Sequence, residues 1–332
     1  MKNPRLKDAD KGVAVIIGAL LLMVIVVSLS STYLLWYIPS NGAKQDTLYQ
    51  GNELQSLVAL QEKMNDSDLL STGLGEHVTQ SFPLGISGSP PFEGPTSTSI
   101  IYDNTTQTYL SMLYGNYTLE VYNNSHTHSI IYPFDYVSIG TVSLIGNTAY
   151  VTRYSFIMQD SLVIEYSQTN NISMPITKFP IYMTGKSSSI NLTTSIFNVT
   201  GTTESDSGYS SNIFTTELSS LNSTSVYVND NITISSPNGG YSAVVKKITL
   251  DNLNYSVHSD YIGAMNYSLG QSFNNSIVPS FKVPNVAYEW QFSSYHQVHV
   301  IVKNTLIRVE LEGKLNLNSL SISDLSFSII TL

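Results

Sequence analysis

Two histidine pairs are the first residues in this chain that could do chemistry: His126 and His128 in "SHTHS", and His296 and His299 in "HQVH". On a strand, residues two apart share a face, so His126 and His128 could hold a metal together, whereas residues three apart point to opposite faces. A metal site needs further ligands, and no spacing in the chain supplies them. These histidines therefore read as polar residues of turns or solvent-facing strands. Glu204 and Asp206, flanked by Ser205 and Ser207, lack the ligand spacing of a calcium loop and read as a solvated tip. Thr184 to Ser188, "TGKSS", ends like a phosphate-binding loop, but the required first glycine falls at Pro180 and the surroundings are β-rich. No Gly-x-Ser-x-Gly elbow occurs, and the carboxylates are too sparse and scattered to mark a glycosidase pair. The expectation is a protein that is not an enzyme, with no cofactor and no metal.

A denser signal is the glycosylation acceptor Asn-x-Ser/Thr. Asn65, Asn104, Asn116, Asn123, Asn171, Asn191, Asn198, Asn222, Asn231, Asn254, Asn266 and Asn274 each begin one with no proline in the middle. Some arise by chance in a chain rich in Asn, Ser and Thr, but as a set they suit an exterior surface on which glycans shield strand edges. Tyrosine is abundant, and "VAYEWQFSSYHQ", Val286 to Gln297, is the densest aromatic cluster. Such rings can stack on sugars, although packing in a core or at a sheet edge is the commoner use.

Composition narrows the classes. Charged residues make up 12% of the chain and the net charge is −9, so no basic stripe exists to neutralise phosphates, and nucleic acid is excluded as a partner. Cysteine is absent, which removes disulfides, thiol catalysis, Cys-ligated zinc and a lipid-bearing cysteine. A polar surface built from uncharged side chains changes little when carboxylates protonate. That suits an acidic exterior, and it equally suits an ordinary secreted protein.

The elements that must carry these residues begin with an apolar rod. No charge occurs from Gly12 through Ala43, and a helix from Val13 to Leu35 is about 34 Å long, enough for a hydrocarbon core of roughly 30 Å. Tyr33, Trp36 and Tyr37 gather at the far end as an interfacial belt, and Pro39, Asn41 and Gly42 are expected to end the helix there. Lys2, Arg5, Lys7 and Lys11 precede the rod and only Lys44 follows closely, which directs the amino terminus to the cytoplasm and the rest outside. A secretory signal cut near Ser28-Leu29-Ser30 is the rival reading, but the apolar run is too long for one.

Beyond the rod, Leu54, Leu57, Val58, Leu60 and Met64 recur at near-helical spacing between Gln50 and Asn65, predicting a short amphipathic stem helix. "GISGSPPFEGP", Gly85 to Pro95, is turn-rich. From Ser97 on, short β-branched and aromatic runs such as "TSIIYD", "SLVIEYS", "INLTTSIFNVT" and "LSFSIITL" alternate with Asn, Gly, Ser and Pro clusters. They predict a mainly β head, an antiparallel β-sandwich of one elongated body or two lobes. Gly146-Asn147 is expected to turn a hairpin, and Thr200 to Ser211 to form a long exposed hairpin tip or the boundary between two β lobes.

The order of groups at the start carries a resemblance. Asp10-Lys11-Gly12 abuts Val13, Ile16, Ile17, Gly18, Leu22 and Met23, and in this the chain resembles archaeal type IV pilin-like and archaellin-like surface proteins with a class III signal peptide. The resemblance implies a prepilin-type peptidase acting at Lys11, Gly12 and Val13, cutting before Val13 and leaving the helix on the mature protein. In one pilin-like group of unassigned function a Pro, an Asn, a polar helix, a Leu-Gly turn and a Pro-Pro segment follow. Pro39, Asn41, "QDTLYQGNELQSLVALQEKMND", Leu84-Gly85 and Pro90-Pro91 before Gly94 match that order, over about the first hundred residues. In filament-forming pilins the first helix continues unbroken into the head, whereas Pro39 is expected to interrupt this one.

The resulting organisation is a cytoplasmic leader (1–12), a transmembrane helix (13–38), a stem helix with a Pro/Gly-rich linker (39–95) and an extracellular β-rich head (96–332). The expected function is that of a single-pass, pilin-like structural or adhesive cell-surface glycoprotein. Its expected partners are membrane lipid, pilin-like subunits or surface-lattice proteins, and surface glycans. The alternative is a membrane-tethered glycan-binding module or glycan-active enzyme.

Overall fold

The computed structural model describes residues 4–69, 74–86, 96–104, 111–123, 126–138, 140–148, 150–169, 172–178, 181–186, 189–208, 210–234, 241–256, 288–293, 296–303 and 306–331. It is mainly β, in two sheets, with one long amino-terminal helix.

That helix does not end at Pro39. It runs as α1 (Pro4–Thr32), a five-residue π turn (Tyr33–Tyr37) and α2 (Ile38–Leu69), about 100 Å in all at 1.5 Å per residue. Proline lacks an N–H, and its ring meets the carbonyl four residues back, which in a regular helix forces a break or kink. Here the backbone widens one turn earlier, and the Ile38 N–H donates to the Tyr33 carbonyl, five residues back. The wider turn accommodates the proline and stacks the Tyr33 and Tyr37 rings 5.1 Å apart at 19°. The expected membrane helix and stem helix are therefore one continuous rod.

The two halves of the rod have different surroundings. From Val15 to Tyr37 every large apolar side chain is exposed, and this is the one helix among the described residues long and apolar enough to cross a membrane. From Gly42 onward one face is buried against strands.

The strands are β1 (His77–Pro83), β2 (Gly85–Ile86), β3 (Thr96–Asp103), β4 (Ser111–Asn123), β5 (His126–Ser138), β6 (Thr141–Asn147), β7 (Tyr154–Gln159), β8 (Leu162–Ser167) and β9 (Ile172–Pro175). They continue as β10 (Ile181–Lys186), β11 (Ser189–Thr200), β12 (Glu204–Gly208), β13 (Ser211–Tyr227), β14 (Asn231–Ile234), β15 (Tyr241–Ser256), β16 (Tyr288–Ser293), β17 (His296–Lys303) and β18 (Leu306–Thr331). The first sheet follows the order β1–β13–β18–β15–β4–β5, with β10 and β11, β14, and β16 and β17 attached. The second follows β12–β3–β6–β7–β8–β9, with β2 on β3.

β18 is the spine of the first sheet. Its first part lies between β17 and β15, and its last part between β11 and β13. Pairing is antiparallel throughout except between β11 and β18, which run parallel, so the expectation of purely antiparallel sheets is corrected there. The Thr200 to Ser211 segment is not a hairpin tip. Its central residues form β12, which leaves the first sheet, pairs with β3 at the edge of the second, and returns as β13. Gly146 and Asn147 end β6 rather than turning a hairpin. The tight turn of that meander is at Asp160 and Ser161, whose φ values of 46° and 58° suit the two-residue loop between β7 and β8.

One buried cluster draws on both sheets and the helix. Leu57, Leu60 and Met64 come from α2, Phe82, Phe197, Phe214, Leu218, Leu325 and Phe327 from the first sheet, and Tyr102, Leu144, Phe156 and Val163 from the second. Edge-to-face ring pairs, Phe82 on Phe214 and Phe197 on Phe327, fill it. Buried polar ties cross from sheet to sheet. The Tyr102 hydroxyl donates to the Val199 carbonyl at 2.7 Å, and the Asp160 carboxylate accepts from the Phe197 N–H at 2.9 Å. Burial, with Asp103 nearby, pushes the Tyr102 phenol up to about 12, so the tie persists across ordinary pH.

Gly140 lies beside the Tyr102 tie with φ of 88°, and a Cβ there would overlap the Val199 carbonyl oxygen. Gly140→Ala therefore combines backbone strain with a clash against β11. It should destabilise the head by about 2–4 kcal/mol, read as a lowered urea midpoint with unchanged slope.

Candidate functional site

The face by which the helix enters the head follows a regular spacing. Gly42, Asp46, Tyr49, Glu53, Leu57, Leu60 and Met64 are buried, and their steps of four or three residues keep them on one side of α2. The half nearer the head's interior is apolar apart from the buried Gln61. The half nearer the rod's exposed part is polar, and it is the most chemically distinctive place among the described residues.

Asp46, 2% exposed, clasps the second sheet. Its Oδ1 accepts from the Thr96 hydroxyl of β3 at 2.6 Å, and its Oδ2 accepts from the Tyr150 N–H in the β6–β7 connection at 2.9 Å. Tyr150 also presses its ring on the helix at Gly42, where a Cβ would overlap it. The Tyr49 hydroxyl donates to the Pro83 carbonyl of β1 at 2.7 Å, which ties the same face to the first sheet. At the outer margin Lys63 Nζ donates to the Thr79 carbonyl at 2.8 Å and to Gln80 Oε1 at 2.9 Å.

Glu53 sits at the centre of this seam with no exposed surface. The Tyr154 hydroxyl of β7 donates to its Oε2, while its Oε1 has no hydrogen-bond partner and neither has the Thr98 hydroxyl of β3. Burial raises the Glu53 carboxyl to about 7, although the hydroxyls of Thr98, Tyr154 and Tyr49 beside it pull the other way. Burial and the neighbouring Glu53 carboxylate raise the Tyr49 and Tyr154 phenols far above their ordinary range, so both are permanent donors. The seam can hold and release one proton. It has the groups neither for a nucleophile nor for a metal.

The residues singled out by type fall elsewhere. Lys11, Gly12 and Val13 lie within α1. Asn104 is exposed, with its Nδ2 donating to the Gly201 carbonyl and its Oδ1 accepting from Thr203, both at 2.8 Å. Asn231 is exposed at the start of β14. Asn65, Asn191 and Asn198 are half-buried, the first near the end of α2 and the others in β11, where Asn191 Oδ1 accepts from Ser319 at 2.9 Å. Asn116 and Asn123 are strand positions of β4, Asn222 of β13 and Asn254 of β15. Asn171, Asn266 and Asn274 lie outside the described residues.

His126 and His128 lie on β5, and the register sets His299 of β17 in one row between Glu289 of β16 and Glu310 of β18. Sequence spacing could not align those three. Among the described residues no three His, Asp or Glu side chains gather to hold a metal. Thr184 to Lys186 end β10, and Glu204 to Ser207 lie in β12.

Reasoning from apolar types captured Leu57, Leu60 and Met64 and missed Asp46, Tyr49 and Glu53. The signal was present: the same spacing continues backward from Leu57 through three polar residues to Gly42.

Comparison with family models, with characterised proteins and with solved structures gives no match for this chain. Its function is therefore argued from its own geometry.

Asp46→Ala would leave the part-buried Tyr150 N–H and the buried Thr96 hydroxyl without that acceptor, a loss of about 2–3 kcal/mol in head stability. Leu48→Ala, one turn face away and 61% exposed, should change the same denaturation midpoint by less than about 0.5 kcal/mol.

Proposed function

We propose that this protein is a single-pass, pilin-like cell-surface protein with a structural or adhesive role. The observation that carries the reading is the division of one unbroken helix into an exposed apolar half and a half packed into a β head. In this reading residues 13–38 lie in lipid, or among like helices in an assembly, and the two sheets form a sandwich held outside the cell. The passage of the helix through Pro39 removes the one departure from filament-forming pilins that the sequence implied. Ser28, Ser30, Ser31 and Thr32 offer small surfaces for helix contact, and the Thr32 hydroxyl is satisfied within its own helix by the Ser28 carbonyl at 2.9 Å. The resemblance at Asp10-Lys11-Gly12 supports processing before Val13 by a prepilin-type peptidase. Exposed acceptors such as Asn104 and Asn231 would carry glycans, and the protein would act by display and contact rather than by catalysis.

Intact-mass measurement and amino-terminal sequencing of the protein from its native membrane test this together. A mature chain beginning at Val13 and heavier than its sequence by whole sugars is expected, whereas one beginning near Ser31 would remove the anchor and the reading with it. Protease added to sealed vesicles of native orientation should digest residues beyond the rod and spare 13–38; a protected head would reverse the topology.

A further inference from the structure

We propose that the seam between helix and head is a proton-controlled latch, in which Glu53 is protonated while residues 42–64 are docked and loses its proton as that stretch of helix loosens from the second sheet. The inference does not depend on the membrane reading, because it concerns only the contact between α2 and the strands.

The geometry is that of a neutral acid. Glu53 is fully buried between α2 and the β3 and β7 strands, and its Oε1 has no partner. A proton on Oε1 removes the charge, so that what stays unpartnered in the pocket is a neutral hydroxyl and not a carboxylate oxygen. Without it a full negative charge is left in an uncharged pocket. The groups facing Glu53 are Tyr49 from its own helix, Tyr154 from β7 and the Thr98 hydroxyl from β3, and the Tyr49 hydroxyl also donates to the Pro83 carbonyl of β1. Asp46 lies two turns back with both oxygens engaged, and Glu165 of β8 accepts from Gln50 Nε2 at 3.4 Å. None of these is a cation. Lys63 donates to β1 at the exposed margin, so it does not neutralise the site.

The sign follows from which state holds the proton. Docked, the carboxyl keeps its proton up to about pH 7; freed into water it loses it near its ordinary value of 4.5. Between those values loosening releases a proton, so raising the pH favours the loosened state. Docking is thus firmest in acid, weakens from about pH 4.5 to about pH 7, and changes little above that.

Amide hydrogen exchange on the full chain in phospholipid nanodiscs, corrected for the intrinsic pH dependence of exchange, reads this directly. Between pH 4.5 and pH 8, protection of peptides covering residues 42–64 should fall about ten- to a hundred-fold. Peptides of the β6–β7–β8 meander away from the seam should change less. Glu53→Gln, which keeps the shape and cannot ionise, should hold the helix protected at both pH values. Tyr154→Phe keeps the ring but removes the donor that supports the ionised form, and it should move the midpoint of loosening to higher pH; it carries the test if Glu53→Gln does not fold. Equal protection at both pH values in the wild type, or an unchanged pH response in Glu53→Gln, would overturn the proposal.

Discussion

A long helix whose buried face is half polar can sit on its β head in only one way. Hydrophobic contact alone is non-directional, and Leu57, Leu60 and Met64 by themselves would tolerate small slides and rotations. The hydrogen bonds made by Asp46 to Thr96 and Tyr150, and by Tyr49 to Pro83, are directional and reach both sheets. They fix the azimuth and the axial position of the rod at once. Because the rod and the strands share one core, the spacing of the two sheets is set by the same contact.

The π turn extends that constraint to the exposed half. Had Pro39 broken the helix, the orientation of the apolar segment would have been independent of the head. With the Ile38 N–H reaching Tyr33, helical continuity is kept and the direction of the rod is inherited from the docked part. A force applied to the apolar half therefore passes along hydrogen-bonded backbone into Asp46, Glu53 and the strands they touch. In a chain without cysteine, that path and β18 are the principal mechanical elements. β18 serves in the same way within the first sheet, since four other strands pair along its length.

The electrostatics of the seam follow from the same economy of charge as the surface. A chain with few charged residues has buried two carboxylates on one helix face, Asp46 and Glu53, and they are held differently. Asp46 has two donors for its two oxygens, which is the ordinary solution for a buried carboxylate. Glu53 has one, and burial moves it toward neutrality. Two acids of similar chemistry on one helix face thus differ in how fully their oxygens are engaged.

What could be read in the amino-acid order was what neighbours in the chain encode. The uncharged stretch from Gly12, the aromatic belt at Tyr33, Trp36 and Tyr37, the helical stripe ending at Met64 and the alternation in runs such as "TSIIYD" each express a local period, and a mainly β chain with one long apolar helix follows from them. The parallel pairing of β11 with β18, the excursion of β12 to the second sheet, the passage of the helix through Pro39 and the burial of Asp46 and Glu53 were decided only in three dimensions. Strand partners more than a hundred residues apart leave no mark in a local window. The burial of a polar side chain depends on what packs over it, and the strain at a proline depends on whether the next turn back has room to widen.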